Sequence, residues 1–377
     1  MQGDNMVIHR AVSRLPLAWD TLATGTEFHL CRAWLAAAEL TLPDEPCYIT
    51  QPGTYPEGAA VGYVTRRSAA SDRDSLNRNT RVDHLLAAAL GNGRREFLDK
   101  VLPSLSCGGW TLVNSTMLLR PGLDPDRRRS VRAELLAALQ SCAVGAGARS
   151  MNFPYVEDHN EELRELLLGE GFLPFPVGAH SAITVSWNSF AGYLAHLPKN
   201  RRSSVRSELA RLSDAGVRYR VAGLDEELAE RLVPMGAATV ERHQGTVDVD
   251  GIRARLLQLA QMGSRVVLAE HDGVVRGFGV IIIWKGQMYA RMVGFDYDFQ
   301  QRLPLFFGVM YEQIRFAIEN GIGVIEYATT AERAKAFRGA RIIGQNGFIK
   351  VFDGADADTL SVLLAAPRDD ESAARRA

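Results

Sequence analysis

No stretch of this 377-residue sequence runs to eighteen uninterrupted apolar residues, which excludes an ordinary membrane-spanning helix. The N-terminus, MQGDNMVIHRAVSRLPLAWD, lacks the basic, apolar and small-residue succession of a secretory signal, so a cytoplasmic location is expected. Cysteine is scarce. The four present (Cys31, Cys47, Cys107, Cys142) show no CxxC spacing and no histidine at ligand spacing. That argues against a disulfide framework and a zinc site; no metal is expected, and the thiols read as reduced and buried. Neither sign of charge dominates: the formal net charge is −1, which argues against bulk attraction to nucleic acid while leaving room for a local basic patch. A P-loop is missing, as is any Ser-His-Asp or Cys-His arrangement in a recognisable motif context.

What is present suits a globular protein. Hydrophobic residues make up 46% of the chain, and its length is comfortable for two domains. Arg66 to Arg81 is polar and rich in Ser, Asn and Asp, and reads as a long exposed loop that could serve as a lid. The charged tail 367–377 is expected to be disordered.

Between these segments one pattern occurs twice. In the first half a strand over Trp110–Leu119 precedes a helix opened by Asp124 and Pro125, then a strand at Ser150–Tyr155, a helix over Asn160–Leu168 and a strand near His180–Val185. In the second half Arg265–Glu270 and Val274–Trp284 predict a hairpin around His271-Asp272-Gly273, and Gln287–Phe295 a further strand. A helix begins at Pro304, with Phe306, Val309, Met310 and Ile314 on one apolar face. A short buried strand follows at Val324–Ala328, then a polar helical stretch over Thr329–Arg338 and a strand over Gly347–Phe352. The pattern implies α/β architecture with two mixed sheets flanked by helices, divided as residues 1–186 and 187–366.

Three stretches of the second half carry a family likeness: FAGYLAHLPKNRRSSVRSELARLSDAG from Phe190 to Gly216, RMVGFDYD from Arg291 to Asp298 with the Pro-initiated helix and Asn320-Gly321 turn behind it, and EYATTAERAKAFRGAR from Glu326 to Arg341. In order and spacing they resemble the FemAB-like branch of the GNAT superfamily, including the BioF2-like acetyltransferases. The resemblance implies two tandem GNAT-like domains, the second catalytic, and an N-acyltransferase that moves an acyl or aminoacyl group onto an amine. Within that branch donors include aminoacyl-tRNA and acyl thioesters. The glycine-rich turn that cradles CoA pyrophosphate in many GNAT enzymes has no counterpart at Gln300–Phe306, where Pro304 also removes an amide. Arg120-Pro121-Gly122-Leu123-Asp124-Pro125 does no better in the first half.

Within this frame Lys335 is the candidate stabiliser of a tetrahedral oxyanion, and Arg338, three residues on, shares its helix face and would bind donor phosphate. Glu326 and Tyr327 end a strand where ligands gather in open sheets; Glu326 would accept the amine's proton, or simply pair with Arg338 or Arg341. Arg291 needs a carboxylate partner in its apolar strand, from substrate or from Asp296. Period two places Tyr289, Arg291 and Val293 on one face. Lys199, Arg201, Arg202 and Arg206 cluster at a helix start and suit the phosphates of a tRNA end, a nucleotide or a phosphopantetheine arm. Tyr289, Asp296, Tyr297 and His243 complete the set as substrate contacts, although His243 also suits a helix C-terminus. Asn152, Tyr155, Asp158 and His159 cluster after a first-half strand without a role.

The expected function is amide formation on a small-molecule amine from a carrier-protein thioester or aminoacyl-tRNA. No tightly bound cofactor is expected, acyl-CoA or phosphopantetheine entering only as donor. A conventional acyl-CoA-dependent N-acetyltransferase and a non-catalytic module that holds a carrier protein are the rivals.

Overall fold

A computed structural model describes residues 6–40, 45–66, 81–91, 97–109, 114–245, 247–300 and 303–365. The expected lid loop and the charged tail lie outside these residues. Those described fall into two compact units: 6–66 with 81–178 and 344–365, and 179–343.

The first unit is built on strands β1 (Val7–His9), β2 (Glu45–Thr50), β3 (Gly58–Thr65), β4 (Ser104–Cys107) and β6 (Ser150–Glu157), joined by the 344–351 portion of β13 (Arg341–Val351). Their order is β1-β2-β3-β4-β6-β13, with the two-residue β5 (Leu118–Leu119) pairing with β3. The first four strands pair antiparallel, β4 and β6 run parallel, and β13 returns antiparallel beside β6. Helix α1 (Arg32–Glu39) precedes β2 and α2 (Val82–Leu90) precedes β4. Helix α3 (Pro125–Gly145) starts as its sequence dictates: Asp124 accepts the Arg127 amide at 2.9 Å, and Pro125 occupies the first turn, where its missing N–H costs nothing. Val131, Leu135 and Leu139, four residues apart on α3, share a core with Phe153 and Phe348. Helix α4 (Glu161–Gly169) follows β6. Of the expected strand over Trp110–Leu119, residues 110–113 lie outside the description and only Leu118–Leu119 is extended in a sheet.

The second unit repeats the scheme. Strand β7 (Leu173–Thr184) enters it at Ala179, followed by α5 (Phe190–His196), α6 (Lys199–Asp214), β8 (Arg218–Gly223), α7 (Glu226–Gln244) and α8 (Val249–Gln261). Then come β9 (Arg265–His271), β10 (Val274–Trp284), β11 (Gln287–Phe295), α9 (Leu305–Glu319), β12 (Val324–Tyr327) and α10 (Glu332–Phe337). Their order is β7-β12-β11-β10-β9-β8. Again four strands pair antiparallel, β11 and β12 run parallel, and β7 lies antiparallel beside β12.

Both tight hairpins obey their turn chemistry. Asp272 and Gly273 both have positive φ (49° and 75°), as do Lys285 and Gly286 (43° and 76°), the backbone twist that two-residue hairpin loops require. Gly294 serves a different end. A Cβ there would meet the Gly236 amide at 2.8 Å, so its absence lets α7 lie close on β11.

The division differs from the expected break at 186/187. Residues 344–351 pair with β6 and the helix Gly354–Ala365 shares a core with α2, so both belong to the first unit although they follow the second in sequence. Meanwhile the sixth strand of the second unit is the latter half of β7, which precedes it.

Candidate active site

The site grows from the place where β11 and β12 part. Their parallel register ends at the pair Ala290–Tyr327, after which β11 continues to Phe295 against β10 alone. At that point β11 carries one extra residue: Ala290 faces Ile281 and Met292 faces Val280, leaving Arg291 as a bulge. The bulge breaks the expected alternation. Val293, past it, shares a small cavity of about 80 Å³ with Ala290, whereas Tyr289 does not line that cavity. Other walls come from Phe306 and Gln313 of α9, from Tyr327, and from Lys335. A space of this size holds a few heavy atoms, enough for a reacting carbonyl group.

Lys335 is delivered there by a strained turn. Beyond Tyr327 the chain reverses through Ala331, a non-glycine residue at φ 54°, ψ 37°, and Lys335 follows on α10. Its side chain is 5% exposed, and Nζ donates to the Ala328 carbonyl at 2.7 Å. Burial brings its pKa from the usual 10.5 down to about 8, against the pull of Glu332. Nζ also lies 5.9 Å from the centroid of the Tyr327 ring. The Tyr327 hydroxyl is buried without a hydrogen-bond partner, and burial raises its pKa well above the usual value. Replacing Tyr327 with phenylalanine removes an unpaired polar group. It is expected to leave stability unchanged or higher by about 1 kcal/mol while lowering turnover. Thermal unfolding and rate measurements on the one variant check both halves.

Arg291 lines the same cavity, its guanidinium 5.5 Å from the centroid of the Tyr289 ring. Burial lowers its pKa to about 10, opposed by Tyr289 and Glu326. Asp296 is not its partner. Instead Asp296 accepts from Arg276 at 2.7 Å and from the Phe299 amide at 3.2 Å; although burial works against it, these bonds hold the carboxyl pKa below its ordinary value. Its expected substrate contact is thereby replaced by a structural one.

Glu326, next to Tyr327 on β12, does not line the cavity. It pairs with neither Arg338 nor Arg341 but with His180 on β7, Oε2 to Nδ1 at 3.0 Å. His180 is 3% exposed and escaped the sequence reading. The available signal was a histidine in an otherwise apolar strand, which needs a polar partner once buried.

Arg338 also departs from expectation. It is 4% exposed, and its donors go to Glu208 at 2.6 Å, the Tyr311 hydroxyl at 2.7 Å and the Ala334 carbonyl at 2.8 Å, with the Phe307 ring 3.2 Å away. Tyr311 donates in turn to Glu208. With its guanidinium so committed, Arg338 is a strut rather than a phosphate ligand. Arg201 acts similarly, donating to the Ala336 carbonyl at 3.0 Å and stacking over Phe337 at 5.4 Å. Together these contacts tie α6 to α10, the helix of Lys335.

The rest of the basic cluster remains available. Lys199 and Arg206 are exposed, Arg202 is half-buried, and among the described residues none of the three has a side-chain partner, while Val205 and Leu212 anchor the opposite face of α6. Pro304 is the N-cap of α9 rather than its first residue. Since the Leu305 amide bonds to Leu303 and the Gly308 amide to Pro304, the amides of Phe306 and Phe307 are left unbonded among the described residues. Tyr297 and His243 meet each other, Oη to Nε2 at 3.3 Å, with Arg242 over the Tyr297 ring at 4.6 Å. His243 is exposed in the last turn of α7, before Gly245 in the left-handed region. All four cysteines are free and buried, and among the described residues no group of three or more His, Cys, Asp or Glu could hold a metal ion. No described helix is long and apolar enough to cross a membrane.

Residues 111–353 match the FemAB-like family, whose description is peptidoglycan biosynthesis/recognition. The chain belongs to the FemAB-like family. Membership makes it an acyltransferase, as the resemblance implied. Among solved structures, FemX superposes with a TM-score of 0.63 at 12% identity, over 95% of this chain and 100% of that one. A tandem GNAT protein from the clavulanic acid biosynthesis pathway gives 0.52 at 12%, over 92% and 98%. A protein of unknown function from Bacteroides thetaiotaomicron gives 0.52 at 11%, over 84% and 88%. Identities this low speak to fold alone, and the fold is the expected tandem GNAT-like arrangement. No curated protein matches the chain.

Proposed function

We propose that the second unit transfers an aminoacyl or acyl group from a phosphate-bearing ester donor, aminoacyl-tRNA foremost, to an amine of a peptidoglycan precursor. The observation that carries this reading is Lys335, an ammonium buried at the cavity wall on a helix tied to the basic helix α6. The family description supports a cell-wall acceptor over the small-molecule amine expected from the sequence.

In this reaction the acceptor nitrogen attacks the ester carbonyl carbon, the new C–N bond forms, and the carbonyl oxygen becomes an oxyanion. Lys335 Nζ would face that oxyanion, with the free Tyr327 hydroxyl as a second donor. Collapse breaks the C–O bond to the donor. The leaving oxygen takes up a proton and the amine gives one up, so no ATP and no covalent enzyme intermediate are needed. Glu326, turned to His180, is a positioning group in this scheme and not the proton acceptor. Lys199, Arg202 and Arg206 would hold donor phosphates; Arg201 and Arg338 fix the frame that presents them. Tyr297 and His243 remain candidates for acceptor contact.

Retention of charged tRNA, an acylated carrier protein and acetyl-CoA at graded salt tests the donor. The Arg202→Ala, Arg206→Ala double variant is expected to weaken tRNA retention at least about tenfold and to flatten its salt dependence by roughly 0.7–0.9 log units per lost phosphate contact. Acetyl-CoA binding with no retention of either macromolecule would overturn the assignment. The unbonded Phe306 and Phe307 amides would then be the place to look for its pyrophosphate.

A further inference from the structure

The cavity of the second unit holds a polar side chain that the transfer chemistry leaves without a task. Phe306, Val309, Met310 and Gln313 recur at three- and four-residue spacing along α9, so one helix face brings all four to the cavity wall. Three are apolar, as a face turned to the core requires. The fourth is an amide, on a residue 2% exposed. Among the described residues the Gln313 side chain has no hydrogen-bond partner. A buried amide left unpaired costs stability that leucine or methionine in its place would not. The fold gains nothing from this polarity.

The surroundings make room for the amide. A Cβ at Gly279 of β10 would lie 2.9 Å from Gln313 Nε2 and 2.6 Å from Val309 Cγ1, so the glycine keeps open a space that a larger residue would close. Gly279 faces Val293 of β11, which also lines the cavity, and Lys335 forms another wall. In about 80 Å³, a group held by Gln313 and a carbonyl facing Lys335 have room for only a bond or two between them.

We propose that Gln313 reads the substituent on the carbon next to the transferred carbonyl, and that this substituent is a hydroxyl or an unprotonated amine. The inference rests on the transfer reaction assigned to this unit. A side-chain amide offers a donor and an acceptor, matching a neutral group with a proton to give and a lone pair to share. Among the described residues no aspartate or glutamate lines the cavity, so no carboxylate in its wall would hold an ammonium. A plain acyl chain puts hydrogen in that place and leaves the amide unpaired.

The test compares three acyl groups that differ only at that carbon: alanyl, lactyl and propionyl, each carried on tRNA and, in a second series, on CoA. Transfer from each to a soluble muramoyl-pentapeptide precursor gives kcat/KM for the wild type and for Gln313→Met, whose unbranched side chain has a similar shape. Wild type is expected to prefer alanyl and lactyl to propionyl by at least about tenfold, and the variant to erase that preference. Its thermal unfolding temperature should be unchanged or higher, since an unpaired amide is removed; a fall of several degrees would give Gln313 a structural role and overturn the proposal. Equal rates for the three acyl groups in the wild type, or a preference that survives Gln313→Met, would overturn it alone. The same preference seen only in the CoA series would uphold Gln313 while refuting tRNA as the donor. No transfer from either series would overturn the proposal together with the reaction it rests on.

Discussion

Replacing Lys335 with methionine is expected to slow turnover about a hundredfold to a thousandfold and, at neutral pH, to raise the melting temperature. The rate loss is the size seen when one preorganised oxyanion donor is removed from a closed site. The stability gain comes from the same burial that makes the lysine useful. In the folded chain its pKa is about 8, against 10.5 for an unperturbed lysine. Below pH 8 both states carry the charge, and the folded state bears a desolvation penalty of about 3 kcal/mol. Between about pH 8 and 10.5 the unfolded chain binds a proton that the folded chain has released, so wild-type stability rises with pH across that window. Methionine removes the penalty but also the bond to the Ala328 carbonyl, worth about 1 kcal/mol, so a net gain of about 2 kcal/mol remains at pH 7. In calorimetric scans the variant should lead by a few degrees at pH 7, and the lead should shrink towards pH 10. Wild-type turnover should fall as pH rises through 8, and the variant should lack that limb. A variant that is both active and less stable at pH 7 would refute the assignment of Lys335.

Arg338→Met is expected to do the opposite, destabilising the protein by about 3–5 kcal/mol. The substitution strands Glu208 and the Tyr311 hydroxyl, which among the described residues have only Arg338 and each other in a largely buried setting. It also releases one of the two ties between α6 and α10. Adding Glu208→Gln should recover part of the loss, because the uncompensated charge is then gone. Denaturant unfolding of the single and double variants measures both effects. Had the sequence reading of Arg338 been right, the single variant would keep its stability to within about 0.5 kcal/mol and lose donor affinity instead.

These two residues show where the sequence was legible. Local chemistry read well: Asp272-Gly273 and Lys285-Gly286 announced their hairpins, Asp124-Pro125 the start of α3, and Pro304 the start of α9. Lys335 stood out as a candidate because its motif lies within one short segment. Its burial was not legible, since that depends on α9 and on the reversal at Ala331. Arg338 was misread because Glu208 lies 130 positions away and Tyr311 lies 27 away. Glu326 was misread for the same reason, with His180 brought beside it only by the pairing of β12 with β7. The faces of β11 were assigned by strict alternation, and one bulge at Arg291 reversed everything beyond it.

The unexpected domain division carries a practical consequence. The first unit takes its sixth strand from beyond the second in sequence, β13 completing the sheet that begins at β1, whereas the latter half of β7 opens the second unit directly. The second unit is therefore inserted within the sequence of the first rather than strung after it, and a cut between residues 186 and 187 separates β12 from β7 and β6 from β13 at one stroke. Neither half so produced holds a full sheet, and each bares a strand edge whose missing partner is carried by the other. Two such fragments, mixed, hold complementary edges and the makings of a split enzyme whose activity would report their reunion.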